Sequence, residues 1–298
     1  MKNVIVTGAN GFIGSQLIKK LIASDINVVA IDINFLQSRL PESSLITRIE
    51  TTVDTSLVDK IPTGRYDAFY HLAWRGVNGI EKADLKVQLA NIQMAIDCAT
   101  ICKQLNVIKL LCAGTVAENA VFSLPHLSVT NGGMIYGVAK HSCHLMLETY
   151  CKKIGLSLVW MQFSNIYGVG NNTGNLVSYT LSQLLANNEA TFGPAMQPYD
   201  FIYVEDLLEA IVRLGVTETT ESTYFIGSGK PRILKDYLIR IGEIVGLPGK
   251  VRIGERPDDG IRYSVEMFDT RPLQKAIGEY VLTDFDGGIA KTISWLQA

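Results

Sequence analysis

The sequence predicts an α/β protein: a doubly wound parallel sheet over the first two-thirds of the chain, then a smaller mixed α/β region. Short β-rich runs alternate with longer helical patterns, as expected when each strand is followed by a helix that crosses back. The strand runs are apolar almost throughout, the mark of strands buried on both faces. In the turn after the first run, closely spaced glycines lead straight into a helix. In order, the strands are "NVIVTG" (3–8), "NVVAID" (27–32), "AFYHLA" (68–73), "IKLLCAG" (108–114) and "LSLVWMQF" (156–163). Helical stretches lie near 12–23, 81–105 and 134–153, and each crossover is expected to be right-handed. After about residue 165 the pattern breaks into a polar loop, "GVGNNTGN", a helix, a turn at "FGPAMQP" and mixed short elements. The composition shifts without a disordered linker. Residues 166–298 are therefore expected to pack directly on residues 1–165, which the segment at about 199–215 rejoins. No internal repeat or low-complexity segment interrupts the chain.

A chain of 298 residues, 47% hydrophobic and 19% charged, can bury a sizeable core. Its formal charge of −2 gives no electrostatic case for nucleic acid or an anionic membrane. No apolar run approaches the length of a bilayer span. The start, "MKNVIVTGANG", reaches a Gly-rich loop too soon for a signal peptide. The five cysteines, at 98, 102, 112, 143 and 151, include no Cys-x-x-Cys, which suits a reducing cytoplasm. Cys98 with Cys102, and His141 with His144, do not form two tight ligand pairs at a recognised spacing, so no metal is expected. Buried thiols and helix-surface histidines are expected instead.

"TGANGFIG" supplies Gly8, Gly11 and Gly14 at a G-x-x-G-x-x-G spacing. Following a strand and opening a helix, these glycines let the chain turn sharply and bring backbone N–H groups against a pyrophosphate. Asn10, Phe12 and Ile13 share the loop and are candidate cofactor contacts. A Rossmann-type dinucleotide-binding region is the expectation. No Lys-Ser/Thr pair follows the last glycine, which excludes a nucleoside-triphosphate loop. Asp32 ends the second strand, where a carboxylate accepts from both ribose hydroxyls and repels a 2′-phosphate. NAD is therefore expected rather than NADP, with Arg39 the nearest cation that could reverse the preference.

"YGVAK" puts Tyr136 and Lys140 four apart on a predicted helix, hence on one face. A phenol of pKa about 10 is a poor base at neutral pH, but an adjacent ammonium favours the phenolate. The helix follows the strand that runs into Thr115. On these motifs the chain resembles the extended short-chain dehydrogenase/reductase superfamily, in its branch of nucleotide-sugar epimerases, dehydratases and 4-keto reductases. The resemblance, UDP-glucose 4-epimerase-like in kind, covers nearly the whole chain. "HLAW" (71–74) is similar to the family's His-x-Ala-Ala run, and Asn91 to the helix asparagine that follows. "SNIYGVG" (164–170) resembles its Asn-x-Tyr-Gly-x-Gly segment. "DFIYVEDL" (200–207), "YFIGSGKP" (224–231), "ERPDD" (255–259) and "GGIAKTISWL" resemble later landmarks in the family's order.

The resemblance implies that Tyr136 is the general acid/base and that Lys140 tunes it and bonds the nicotinamide ribose. A Ser/Thr at the end of the fourth strand would bond the sugar hydroxyl. One register puts Thr115 in that slot; another puts Ala113 there, with no hydroxyl. The first is preferred because it supplies the group the chemistry requires. The resemblance also implies that Leu72, Ala73, Asn91 and Ser164 meet the cofactor. Asn165, Asn175, Tyr199, Arg256 and Asp259 would meet a nucleotide-diphosphate sugar. Gln162 and Tyr199 stand where the family often has Arg. Arg256 is thus the main diphosphate candidate, with Arg232 or Arg262 as substitutes.

An epimerase acting at C4 through a transient 4-keto sugar is the first expectation, and a 4-keto reductase the alternative. Dehydratases of the family carry Asp-Glu directly after the catalytic Thr, whereas Val116-Ala117 follow Thr115 and Glu118 comes late. A non-catalytic cofactor-sensing protein is a third reading, disfavoured by the intact Tyr136 and Lys140. The resemblance also implies a homodimer, through helices 81–105 and 134–153, for which "MAIDCATICKQL" (94–105) has the apolar surface such packing needs.

Overall fold

The computed structural model describes residues 1–123, 132–258, 260 and 262–298. Its first strands are β1 (Asn3–Thr7), β2 (Asn27–Asp32), β3 (Ile46–Glu50), β4 (Ala68–His71), β5 (Lys109–Thr115) and β6 (Ser157–Phe163). Shorter ones follow: β7 (Asn165–Tyr167), β8 (Ala190–Thr191), β9 (Pro198–Tyr199), β10 (Phe201–Tyr203), β11 (Thr223–Ile226), β12 (Arg232–Ile233) and β13 (Val251–Arg252). The helices of the first part are α1 (Phe12–Ile22), α2 (Leu85–Gln104), α3 (Ala117–Ser123) and α4 (Gly132–Ile154). Later come α5 (Leu176–Leu185), α6 (Val204–Val216), α7 (Leu234–Val245), α8 (Arg271–Ile277) and α9 (Phe285–Leu296).

Seven parallel strands form one sheet in the order β11-β6-β5-β4-β1-β2-β3. This is the Rossmann-type α/β fold. Side chains alternate across a strand, so a sheet covered on both faces needs apolar residues at every position. Along β1, Val4 and Val6 enter one core while Ile5 enters the other. The same split recurs on β4, with Tyr70 against Phe69, and on β5, with Leu111 against Leu110 and Cys112. The first core is closed by Leu17 and Leu21 of α1 and Leu207 and Ile211 of α6; the second by Cys98 and Cys102 of α2 and Leu147 of α4. Strand order reverses between β1 and β4, and the crevice at such a switch point lies beyond the C-terminal strand ends.

The strand at 46–50 escaped the apolar criterion because it is the sheet edge, where Thr47 and Glu50 are exposed. The far edge, β11, comes from beyond residue 166 and pairs with β6. α6 packs on α1, where Lys20 and Glu209 pair at 2.7 Å; such a partly exposed pair contributes about 0–1 kcal/mol. Among the described residues, no helix is long and apolar enough to cross a membrane.

All five cysteines are buried and free, and burial pushes the Cys143 thiol up to about 12. The expectation of surface histidines fails for His144. It is 8% exposed, stacked on Trp160 at 4.8 Å, with Nε2 2.9 Å from the Thr223 hydroxyl. Nor does the apolar surface of 94–105 face outward: Ala95, Cys98, Ala99, Ile101 and Cys102 are all fully buried in the second core. The sheet itself claims that side of the helix.

Candidate active site

The turn after β1 is built for close approach. Gly8 has φ +69°, and a Cβ there would stand 2.8 Å from the backbone N of Ala73. The β1–α1 and β4–α2 turns therefore touch, which only glycine at position 8 permits. A Cβ on Gly14 would lie 2.0 Å from the Gly8 carbonyl. Gly11 caps α1 with no side-chain bond, leaving N–H groups of the first turn for an anion. At the end of β2, Asp32 accepts from Asn10 N through Oδ2 and from Ile33 N through Oδ1, each at 2.8 Å. Each oxygen keeps a lone pair for a hydroxyl. Asn10 is less open: its Oδ1 accepts from Arg39 N at 2.8 Å and its Nδ2 donates to Asn34 O. Asn91 is likewise committed, accepting from Arg75 N and donating to Arg75 O at 2.9 and 2.7 Å. It braces the turn that carries Leu72 and Ala73.

Past these turns lies a cavity of about 280 Å³. Phe12, Ile13 and Leu72 line its cofactor-loop side, and Thr115, Tyr136 and Lys140 its floor. Ser164 and Asn165, just past β6, and Asn175 and Tyr199 of the C-terminal region close it on the other side. Ser164 donates to Asp200 O at 2.7 Å, and Asn165 to the same oxygen at 3.1 Å. Asn175 caps α5 through Ser178 N and donates to Ile166 O at 2.7 Å. Tyr199 also borders a second cavity, of about 270 Å³, with Arg256. Arg256 donates to the hydroxyls of Thr191 and Tyr179 at 2.8 and 2.6 Å. Arg262 pairs with Asp258, and Arg232 lies over the Tyr237 ring. Asp259 lies outside the described residues. A larger open groove of about 740 Å³ runs along α1 past Lys19 and Arg39, without the Tyr/Lys pair.

The reactive corner is formed where β5 ends. The Thr115 hydroxyl, beside Tyr136, favours the phenolate, but burial outweighs it and the Glu118 charge adds to burial. The phenol is therefore held above its ordinary range, contrary to the lowering expected from Lys140. The reason is geometric. Lys140 Nζ donates to Ala113 O at 2.6 Å and sits 3.6 Å above the Trp74 ring. Burial lowers the Lys140 ammonium to about 8. Of the two residues competing for the hydroxyl slot, Thr115 faces Tyr136 and Ala113 presents a carbonyl to Lys140. His71, bonded to Thr7 Oγ1 at 2.9 Å, is pushed down to about 3 by burial and stays neutral.

Sequence reasoning missed Glu118. Its side chain is fully buried and accepts from Thr115 N at 2.7 Å, Trp160 Nε1 at 3.0 Å and Gln162 Nε2 at 3.2 Å. Gly114 makes room for the cluster, since a Cβ there would meet Trp160 Nε1 at 2.3 Å. Ligand atoms of Glu118, His141 and His144 lie within 4.8 Å of one another, but N–H donors already crowd both carboxylate oxygens.

The model of the NAD dependent epimerase/dehydratase family matches residues 4–227. The chain belongs to that family. It is an enzyme family, its cofactor is NAD, and the glycine turn and open carboxylate lone pairs of Asp32 fit that cofactor. A putative UDP-glucose 4-epimerase of Methanocaldococcus jannaschii is 23% identical, over 99% of this chain and 98% of that protein. The crystal structure of UDP-glucose 4-epimerase with UDP-glucose from Thermotoga maritima superposes with a TM-score of 0.82, at 21% identity, covering 99% and 98% of the two chains. An NAD-dependent NDP-hexosamine 5,6-dehydratase, TunA, superposes at 0.80 with 22% identity, covering 100% and 98%. At such identities these epimerase/dehydratase structures share the fold; the reaction must be argued from the site.

Proposed function

We propose that this family member is a nucleotide-sugar epimerase acting at C4 through a transient 4-keto sugar. The carrying observation is the floor of the 280 Å³ cavity, which Thr115, Tyr136 and Lys140 line together between the glycine-turn residues Phe12 and Ile13 and Tyr199, which borders the Arg256 cavity. NAD supplies a hydride acceptor that can return the hydride. Tyr136 takes the C4 hydroxyl proton and gives it back, Thr115 holds that oxygen, and Lys140 has N–H donors left for a ribose hydroxyl. Arg256, with residues from 166–298, would hold the diphosphate. Dehydration is disfavoured, because it needs acid groups at the corner and Glu118 is locked on Thr115 N, Trp160 and Gln162.

One observation favours a second reading, a 4-keto reductase: a phenol held protonated by burial is ready to donate to a ketone oxygen. The deciding assay supplies nucleotide sugars and 4-keto sugars with and without NADH. Interconversion without net NADH use supports epimerisation; stoichiometric consumption supports the reductase. Asp32→Ala should weaken NAD by about tenfold or more, for loss of charge-assisted bonds of ~1.5–3 kcal/mol, and relax discrimination against NADP. Unchanged NAD affinity would sink the ribose assignment.

We also propose a homodimer. α2 and α4 pack side by side and expose Leu85, Leu89, Leu145 and Met146, each about half or more accessible. Apolar residues left bare along neighbouring helices suit an isologous interface. Light scattering should give twice the chain mass, and Leu89→Lys with Met146→Lys should give a monomer.

A further inference from the structure

We infer that Trp74 is a positioning residue for Lys140, its indole face serving as the counter-surface that keeps the lysine ammonium charged and in place on the cavity floor. The inference rests on the reading of Tyr136 and Lys140 as the reactive pair. It rests equally on a departure of this chain from the pattern it resembles, since tryptophan stands at the last position of "HLAW", where the family's run ends in alanine.

The geometry is specific. Lys140 Nζ lies 3.6 Å from the Trp74 ring centroid, well inside the ~6 Å limit of a cation–π contact. Lys140 is 3% exposed, so the indole rather than water covers that face. The indole is itself held on two sides. Its Nε1 donates to Gln88 Oε1 at 2.9 Å, and Gln88 is 1% exposed and anchored on Gly76 O at 3.0 Å. The ring also meets Tyr136 edge-on, at 6.4 Å and 88°. Of the three N–H groups on Nζ, one goes to Ala113 O and one can point into the indole face. The third remains for a ligand hydroxyl. Trp74 thus substitutes for a hydrogen-bond acceptor without consuming the donor that a ribose would need.

Other groups face the ammonium as well. Glu118 on α3 favours the charged form, while Cys112 on β5, Cys143 on α4 and His71 at the end of β4 face it uncharged, the thiols held up and the imidazole held down by burial. Trp160 lies farther off, at 5.9 Å. Burial still prevails and lowers the group to about 8. Removing the indole leaves burial with less opposition. The ammonium then deprotonates at lower pH.

The test uses two variants and two readouts on the full-length protein. In the pH profile of kcat, Trp74→Ala should move the alkaline limb down by about one pH unit, while Trp74→Phe, which keeps an aromatic face, should restore most of it. Tryptophan emission of the wild-type protein, measured without substrate, should titrate with the same alkaline midpoint. That transition should vanish in Trp74→Phe and in Lys140→Met. An alkaline limb unmoved in Trp74→Ala, or an emission transition that survives Lys140→Met, would overturn the role of Trp74. Full turnover in Lys140→Met would instead overturn the Tyr/Lys reading itself, because the emission transition reports the contact without any chemistry.

Discussion

Tyr136→Phe should lower turnover by about 10²–10⁴-fold and leave NAD bound with near wild-type affinity. Among the described residues, the phenol is the one acid/base group in the cavity that meets both Thr115 and the space in front of Lys140. Removing its oxygen deletes proton transfer without touching the glycine turn or Asp32. The companion variant, Thr115→Val, keeps the shape of the corner and removes the hydroxyl, so it should cost about 10²-fold. Single-turnover rates with a nucleotide sugar, beside equilibrium binding of NAD, check both. Retained activity in Tyr136→Phe would remove the residue from the mechanism, and retained activity in Thr115→Val would leave the slot to Ala113. Burial sets the sign of the pH effect. A phenol held above its ordinary range is protonated at neutral pH, so the resting enzyme is poised as an acid and needs the bound complex to become a base.

What could be read from the sequence was whatever had a local physical signature. The strands of the parallel sheet announced themselves because both faces are buried, whereas β3, at the edge, carries Thr47, Arg48 and Glu50 among its five residues and did not. Gly8, Gly11 and Gly14 were legible because a turn that tight admits few other residues, and Tyr136 and Lys140 because four residues make one turn of helix. Their electrostatics were not legible. Sharing a helix face does not say where an ammonium points, and Lys140 points at Ala113 O and the Trp74 ring rather than at the phenol. Asn91 and Asn10 were identified as polar residues near the cofactor, but each has backbone groups of its own chain to satisfy first. Glu118 could not be found from spacing, since its partners Trp160 and Gln162 lie more than forty positions away.

That distant pairing makes Glu118→Ala the substitution with the largest expected effect on stability. The buried N–H of Trp160 and the part-buried N–H of Thr115 would lose their acceptor at once, at roughly 1–3 kcal/mol for each one left bare, while Gln162 Nε2 keeps Asn119 Oδ1. Water entering the vacated space can satisfy one of them, so a net loss of about 2 kcal/mol is expected, a fall in Tm of roughly 3 °C for a chain of this size. Glu118→Gln separates charge from hydrogen bonding. The amide keeps one acceptor oxygen but turns an NH₂ toward donors, so its Tm should lie between those of wild type and Ala. Glu118→Ala frees the Thr115 backbone, which Glu118 holds at 2.7 Å, and Glu118→Gln loosens its surroundings, so kcat should fall even where the protein stays folded, and further in Ala. A thermal melt beside kcat and KM tests this: equal Tm for all three proteins would mean that the carboxylate is not what fixes the corner. The acid three residues after Thr115 therefore serves the reaction by holding the hydroxyl still, and its burial among N–H donors is what withholds it from dehydration chemistry.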